Sequence, residues 1–255
     1  MIPPSRIVQQ PDYGARARVG IATPQANPTV EPELRALLPA DIGLYATRLV
    51  HPSPRVEERL DHYVHHMPAA IASFGTMNIK AFGFGCTGSS YRVGPLVEDR
   101  IVESTAAEVR LPVITAAQAI RRALEALGAT RIALVSPYPE ALAEAGYRYW
   151  DDAGVRVVSR LRVDIDLTDT HRIYELTSDD ALQALRRIER HAAQCVVATG
   201  TGMPTLAALR VFRNETAVPV LSSNLCLAWA LLQTVAPELA PTAPGGLLEP
   251  PRVGG

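Results

Sequence analysis

The 255-residue chain has few cysteines, and their number and spacing exclude a disulfide framework. Cys86, Cys195 and Cys226 are an odd set without a C-x-x-C pair, so a structural zinc site is not predicted either. Lysine is rarer still, because Lys80 is the only one. It stands just before the apolar run AFGFG, at the entry end of a predicted strand, whereas ligands of open α/β sheets gather at the carboxyl ends. A pyridoxal phosphate Schiff base, which needs an active-site lysine, is therefore disfavoured.

Strong charge and long apolar runs are also missing. The formal net charge is -1, with 47% hydrophobic and 20% charged residues, which is typical of a globular protein and gives no electrostatic reason to expect nucleic acid. No apolar run is long enough to span a bilayer, and the first twenty or so residues lack an apolar segment of signal-peptide length. The sequence therefore predicts a cytoplasmic protein with no nucleic-acid partner and no membrane partner.

What the chain does have is a repeated pattern of short apolar runs and longer amphipathic stretches, which is typical of βαβ units in a parallel sheet. Three segments recur in the same order: VGIATP and IALVSP, then GFGCTGSSY and VVATGTGMPT, then LPVITAAQAIRRAL and VPVLSSNLCLAWALL. The repeat predicts an α/β fold of two flavodoxin-like parallel-sheet halves related by a pseudo-twofold axis, with the active site in the cleft between them. The halves are assigned to residues 1–115 plus 223–255 and to 116–222. The alternative is the self-similarity that every parallel α/β protein shows.

The strongest chemical signal is Cys86 at the end of an apolar run, followed at once by Thr87-Gly88-Ser89-Ser90-Tyr91. Such a turn exposes backbone N–H groups, which with a helix N-terminus stabilise a carboxylate or enolate and are expected to lower the thiol pKa. The alternative is a buried structural thiol. Cys195, within CVVATG, is predicted to be packed and inert, and Cys226 to pack within a helix.

Two other polar side chains follow predicted strands that recur in the repeat. Asn27 in TPQANPT and Tyr138 in SPYPE can each donate a hydrogen bond to a carboxylate. The alternatives are an Asx turn for Asn27 and a half-buried ring for Tyr138. His62, His65 and His66 lie on an amphipathic stretch with Arg and Glu, so a solvated helix face is favoured and no metal site is predicted.

Taken together, these motifs resemble the aspartate/glutamate racemase superfamily, in its branch containing maleate cis-trans isomerase and arylmalonate decarboxylase. The resemblance covers nearly the whole chain and rests on TPQANPTVEPEL, GFGCTGSSY, LPVITAAQAI, IALVSPYPE, VVATGTGMPTL and VPVLSSNLCLAW, in the family's order. It implies a pseudo-twofold α/β fold, no cofactor, and a small mono- or dicarboxylate as the partner held between the halves. A homo-oligomer stays an open alternative.

The resemblance also implies roles for single residues. Cys86 matches the first-half catalytic cysteine, and Asn27 and Tyr138 match residues that contact the substrate carboxylate. The rest of the binding pocket would be Thr87, Gly88, Thr201 and Gly202, with further candidates Pro24, Ser89, Thr199, Gly200 and Asn224. The chain departs from the pattern at the second-half cysteine position, which is Gly200. Racemisation by two thiols is therefore disfavoured.

Three functions stay open at this point. The first is maleate-type cis-trans isomerisation, in which Cys86 adds to an activated double bond and later leaves. The second is arylmalonate-type decarboxylation, with Cys86 protonating the enolate. The third is a binding or accessory role without turnover, because the segments CTGSSY and SSNLCLAW also resemble the ectoine-utilisation protein A.

Overall fold

The computed structural model describes residues 11–163 and 170–249, which form two four-stranded sheets flanked by helices. The strands are β1 (Ala17–Pro24), β2 (Ile42–Leu49), β3 (Ala81–Phe84), β4 (Val113–Thr115), β5 (Arg131–Ser136), β6 (Arg156–Arg162), β7 (Cys195–Ala198) and β8 (Val220–Ser222). The helices are α1 (Val30–Leu37), α2 (Val56–His65), α3 (Met67–Ala72), α4 (Thr87–Val93), α5 (Pro95–Val109), α6 (Ala116–Ala126), α7 (Glu140–Asp152), α8 (Ser178–Arg187), α9 (Leu206–Phe212) and α10 (Ser223–Val235). Short 3₁₀ helices cover Thr170–Glu175, Pro237–Leu239 and Pro244–Leu248.

The two sheets have the same topology. All their strand pairs are parallel, and the order is β2-β1-β3-β4 in the first sheet and β6-β5-β7-β8 in the second. Each strand of one sheet therefore has a counterpart at the same place in the other, which confirms the predicted α/β fold of two similar halves. The domain boundaries stay a prediction, and the first half as predicted includes residues 1–10 and 250–255, which lie outside the described residues.

Burial follows the position of a strand within its sheet. Strand β1, ARVGIATP, is buried along nearly its whole length because it has neighbouring strands on both sides and because α3 and α10 contact it. The edge strand β6 is only partly covered, and it carries Arg156, Arg160 and Arg162. Charged side chains on an edge strand keep it from pairing with another chain.

Hydroxyl side chains cap the helices that follow β4 and β8, the two three-residue strands. Thr115 caps α6 in a capping box with Gln118, and Ser222 caps α10 by accepting a hydrogen bond from the N–H of Leu225. Helix α10 packs closely on the first sheet, where a Cβ on Gly83 would lie only 3.0 Å from a methyl of Leu231. The last helix thus follows the second sheet in the chain and covers the first. No helix within the described ranges is long and apolar enough to cross a membrane.

A buried carboxylate connects α1 to α9 and α10. Glu33 on α1 accepts hydrogen bonds from the N–H groups of Thr205 (2.5 Å) and Leu206 (2.6 Å) at the start of α9, and from Nδ2 of Asn224 (2.8 Å) on α10. Burial raises the pKa of Glu33, while these donors lower it. The carboxylate supplies the cap that α9 lacks in its own sequence, and it ties the α1 side of the molecule to α9 and α10.

We expect Glu33→Ala to lower the free energy of unfolding by about 2–3 kcal/mol, because it leaves buried N–H donors without an acceptor. The matched control is Glu31→Ala on the same helix, since Glu31 forms an exposed ion pair with Arg48 and such pairs contribute about 1 kcal/mol or less. Urea denaturation followed by circular dichroism measures both. Equal losses in the two variants would contradict a bridging role for Glu33.

Candidate active site

A cavity lies where the carboxyl ends of central strands from both sheets meet. Its walls include Pro24 at the end of β1, Cys86 after β3, Tyr138 after β5, and Thr201 and Gly202 after β7. It holds about 580 Å³ of space that no protein atom fills, part of it open to solvent. The remaining wall is formed by Gln25, Ala26, Asn27, Val56, Arg59, Leu60, Tyr63, Gly88, Leu142, Ile173 and Tyr174. The loops that the sequence repeat brings together thus surround one space, as is usual for parallel sheets.

Cys86 is the residue immediately before α4, and its sulfur faces the first turn of that helix. Oγ of Ser89 donates to Sγ at 3.2 Å, and the N–H groups of Gly88 and Ser89 also donate to it. The residue is 4% exposed and lines the cavity. The geometry therefore gives one thiol three hydrogen-bond donors on one side and the cavity on the other.

The pKa of Cys86 is raised, not lowered as the sequence suggested. Burial disfavours the thiolate and raises the pKa, while the Ser89 hydroxyl and the two N–H groups lower it by a smaller amount. Helix α4 has only seven residues, so its macrodipole is weak and lowers the thiol pKa little. Cys86 is accordingly a neutral thiol in the resting protein at neutral pH.

Asn27 uses the two ends of its amide for different purposes. Oδ1 accepts from the N–H of Thr29 at 2.9 Å, which is an Asx turn leading into α1. Nδ2 points to the other side and donates to Oγ1 of Thr201 at 3.3 Å, on the opposite sheet. The turn predicted as an alternative therefore holds the amide in place, and its N–H₂ group is the donor at the cavity wall.

Tyr138 stands on the loop after β5 with its ring almost fully buried. Burial raises its pKa well above the ordinary value, the Cys86 thiolate would raise it further, and a hydrogen bond with Thr87 lowers it. The phenol is therefore protonated at neutral pH and can donate a hydrogen bond at the cavity that Cys86 also lines.

The other predicted site residues lie behind the wall and support it. Oγ1 of Thr87 donates to Oγ of Ser223 at 3.1 Å, and the same Ser223 oxygen accepts from the N–H of Gly200 at 3.1 Å. Oγ1 of Thr199 pairs with the Tyr91 hydroxyl at 2.6 Å. Asn224 donates to Glu33 and to the carbonyl of Thr201. Side chains of Thr87, Ser89, Thr199 and Asn224 thus hold the loops together, and they do not line the cavity.

Gly200 has no room for a side chain. Its φ is +92°, in the region that favours glycine, and a Cβ there would lie 2.5 Å from Cγ and 2.9 Å from Cδ of Pro137. The two remaining cysteines do not compensate, since Cys195 and Cys226 are fully buried and neither lines the cavity. Burial raises the pKa of Cys195 to about 12. The cavity therefore has a single thiol, on the side of the first sheet.

Helix α2 supplies a wall that sequence reasoning missed. Val56, Arg59, Leu60 and Tyr63 have the spacing i, i+3, i+4, i+7, which places them on one helical face, here the face toward the cavity. The sequence signal that could have found this wall is an arginine at a core-facing position of a helical stripe that is otherwise apolar or aromatic. Leu142 on α7 and the 3₁₀ segment with Ile173 and Tyr174 were missed as well, and no motif marks them.

The histidines predicted to face solvent do lie together on and after α2. The rings of His62 and His66 are stacked with centroids 3.7 Å apart, and His51 approaches His62 at 4.3 Å. His65 and His66 are exposed. Within the part of the chain that the structure describes, no group of three His, Cys, Asp or Glu side chains is arranged to hold a metal ion.

Comparison with known proteins gives one family. The family model described as arylmalonate decarboxylase matches residues 19–248. A maleate isomerase from Nocardia farcinica is 26% identical over 91% of this chain and 95% of its own length, and one from Alcaligenes faecalis is 21% identical over 87% and 92%.

Solved structures share the fold. The maleate isomerase Iso from Pseudomonas putida S16 has a TM-score of 0.78 at 24% identity, covering 91% of this chain and 98% of that one. A Nocardia farcinica maleate cis-trans isomerase mutant, solved with a covalently bound succinylcysteine intermediate, gives the same TM-score, identity and coverage. Unliganded arylmalonate decarboxylase has a TM-score of 0.67 at 19% identity, covering 86% and 93%. At these identities the structures establish the shared fold.

We expect Gly200→Ala to lower the free energy of unfolding by about 2 kcal/mol or more, because a left-handed backbone costs other residues about 1–2 kcal/mol and the new methyl meets the Pro137 ring. Gly245→Ala is the matched control, since a Cβ there has nothing within 4 Å. Thermal unfolding compares the two. A Gly200→Ala protein as stable as the control would show that the loop has room for a second thiol.

We expect alkylation of Cys86 by iodoacetamide to be slow at pH 7 and to accelerate steeply at alkaline pH, because its raised pKa keeps it protonated. Ser89→Ala removes a hydrogen-bond donor that lowers the pKa of Cys86. The pH dependence of Cys86 alkylation should therefore shift to higher pH in this variant. Ser90→Ala, the next hydroxyl on the helix, is the control. Peptide mapping by mass spectrometry follows Cys86 with the buried Cys226 as internal reference, and an unmoved profile in Ser89→Ala would contradict the assigned hydrogen bond.

Proposed function

Since this chain belongs to the arylmalonate decarboxylase family, we propose that it isomerises a small cis-unsaturated dicarboxylate of the maleate kind, with Cys86 as the nucleophile. The observation that carries the proposal is the position of Cys86, the one cysteine of the chain that lines the cavity. Hydrogen-bond donors for a carboxylate, Nδ2 of Asn27 and the hydroxyl of Tyr138, stand at the same wall.

The relatives support this choice of substrate. The curated proteins that match over about nine-tenths of the chain are named maleate isomerases, and one related structure holds a succinyl group on a cysteine. A succinyl group bound through sulfur results when a thiol sulfur adds to one olefinic carbon of a four-carbon unsaturated diacid and the other carbon takes up a proton; the route proposed here shares the sulfur addition and omits the proton uptake. The same chemistry suits a cavity with one thiol.

The proposed reaction is balanced without an oxidant or a net proton. Cys86 first loses its proton to solvent, and its sulfur then forms a bond to one olefinic carbon while the π electron pair moves toward the other carbon and its carboxylate. The former double bond is now single and rotates. The electron pair returns, the carbon–sulfur bond breaks, and the trans product leaves with the thiolate regenerated.

The neighbours of Cys86 assist where charge develops. The thiolate accepts from the Ser89 hydroxyl and from the N–H groups of Gly88 and Ser89. After addition, negative charge collects on a carboxylate, where the Asn27 amide and the protonated Tyr138 phenol are the donors. Donors that are fixed before the reaction stabilise such charge better than water does, since they need no reorganisation.

A second candidate is decarboxylation of an aryl- or alkylmalonate. The specific observation that favours it is the raised pKa of Cys86, because a thiol that stays protonated is suited to protonate an enolate after loss of carbon dioxide. Apolar side chains at the wall, among them Leu60, Leu142 and Ile173, would accept an aryl group.

The test is proton NMR of the protein in heavy water with maleate and, separately, with phenylmalonate. We expect maleate to give fumarate free of deuterium, because the proposed route moves no proton onto carbon. Cys86→Ser should reduce the rate by at least about a thousandfold, since it removes the nucleophile. Cys226→Ala is the matched control and should keep activity, because Cys226 is buried outside the cavity.

Other outcomes decide against the proposal. Deuterated phenylacetate without any fumarate would assign the decarboxylase instead. Binding of either acid with no turnover would make the chain a binding protein. Full maleate turnover by Cys86→Ser would remove Cys86 from the mechanism.

A further inference from the structure

We propose that Glu98, a buried side chain outside the cavity, is a positioning residue that holds helix α4 and, with it, the hydrogen-bond donors of the Cys86 sulfur. The inference rests on the proposed function in one respect, since Cys86 is the reacting group of that function. It concerns the resting protein, so it can be tested without any substrate.

Glu98 occupies a place in the core that a carboxyl group rarely takes. It lies on the buried face of α5 together with Pro95, Val102 and Thr105, and it is 0% exposed. Glutamate is almost never fully buried unless it has partners, because its removal from water is costly. The partners of Glu98 therefore show what the residue holds in place.

Two hydroxyl groups from different parts of the fold donate to the two oxygens of Glu98. Oγ1 of Thr115, at the end of β4, donates to Oε1 at 2.5 Å, and the hydroxyl of Tyr149 on α7 donates to Oε2 at 2.5 Å. Strand β4 belongs to the first sheet, whereas α7 follows β5 of the second sheet. Helix α4 packs against both α5 and α7, so Glu98 joins the two helices on which α4 rests.

Helix α7 is in turn fitted closely to Tyr91 of α4. Trp150, the residue after Tyr149, donates from Nε1 to the Tyr91 hydroxyl at 3.0 Å. The Tyr91 ring lies directly on the α7 backbone, because a Cβ on Gly146 would be only 2.7 Å from Cε2 of that ring. The rings of Tyr91 and Tyr149 are 5.3 Å apart between centroids. Since the contact has no spare room, a displacement of α7 must also displace Tyr91.

The same short helix carries Tyr91 and a donor to the thiol. Ser89 stands two residues before Tyr91, and its hydroxyl donates to Sγ of Cys86 at 3.2 Å. Helix α4 has only seven residues, so its first turn follows any movement of Tyr91. The Ser90 hydroxyl also faces Glu98, but it forms no well-directed hydrogen bond. The connection from Glu98 to the thiol therefore runs through α7.

A carboxyl group at this point does what an apolar side chain would not do. Apolar contacts are non-directional and permit neighbouring helices to slide, whereas two acceptor oxygens fix the directions of two hydroxyl groups. Because an unpaired hydroxyl in the core is costly, α5, α7 and the end of β4 have one arrangement that satisfies Glu98, Thr115 and Tyr149 together. That arrangement sets where α4 presents its first turn to the sulfur.

The experiment measures the pH dependence of Cys86 alkylation by iodoacetamide in Glu98→Gln, with peptide mapping by mass spectrometry. The substitution exchanges one acceptor oxygen for an N–H₂ donor, which then faces a hydroxyl donor. We expect the midpoint of the profile to rise by about half a pH unit, which makes alkylation below the midpoint about threefold slower, because less well placed donors stabilise the thiolate less.

Two further variants separate positioning from a general loss of stability. Tyr149→Phe removes only the hydroxyl that donates to Oε2 of Glu98 and keeps the ring, so it should reproduce the shift and keeps the test decisive if Glu98→Gln fails to fold. Thr115→Val is the matched control, because it removes the other donor to the same carboxyl group and the cap of α6 but leaves the Tyr149 bond. It should lower stability and keep the wild-type profile.

An unmoved profile in folded Glu98→Gln or folded Tyr149→Phe, or an equal shift in Thr115→Val, would overturn the inference. A double variant checks the route, because Glu98→Gln should shift the profile less in a Ser89→Ala background than it does alone. Fully additive shifts would also decide against action through α4. The result is independent of catalysis: if maleate gave no fumarate while the profile moved as expected, the proposed reaction would be wrong and the role of Glu98 would stand.

Discussion

The cavity depends on hydrogen bonds that cross between the loops of the two sheets. Oγ1 of Thr201 donates to the carbonyl of Gly85 at 2.8 Å and accepts from Asn27, while Oγ1 of Thr29 donates to the carbonyl of Gly202 at 2.8 Å. These side chains are almost fully buried, and leaving a buried polar group unpaired costs about 1–3 kcal/mol. The loops after β1, β3 and β7 therefore have one mutual arrangement that satisfies them all, and the Cys86 thiol and the Asn27 amide take their positions from it.

The fold and the centre of the candidate site could be predicted from the sequence because both come from local patterns that occur twice. A short apolar run followed by glycine and hydroxyl residues indicates a strand ending in a helix N-terminus, and Cys86 lies at such a point. Asn27 and Tyr138 were found by the same rule, and both lie at the cavity wall.

Properties that arise from packing could not be predicted in this way. The direction of the Cys86 pKa depends on how completely other segments cover the sulfur, and the residues next to it in the chain favour the opposite shift. Arg59 was missed because α2 lies outside the three recurring segments, and tertiary contacts alone bring this helix to the cavity wall. The resting site that results has protonated Cys86, Tyr63 and Tyr138.

The close approach of Gly200 and Pro137 also bears on whether one mutation could give the cavity a second thiol. The Cβ of a cysteine at position 200 would meet the proline ring at a backbone angle that other residues avoid. We therefore expect that substitution to require a second change at Pro137 or in the loop after β7. The effect of a residue at position 200 thus depends on the residue at position 137, which makes the two positions epistatic.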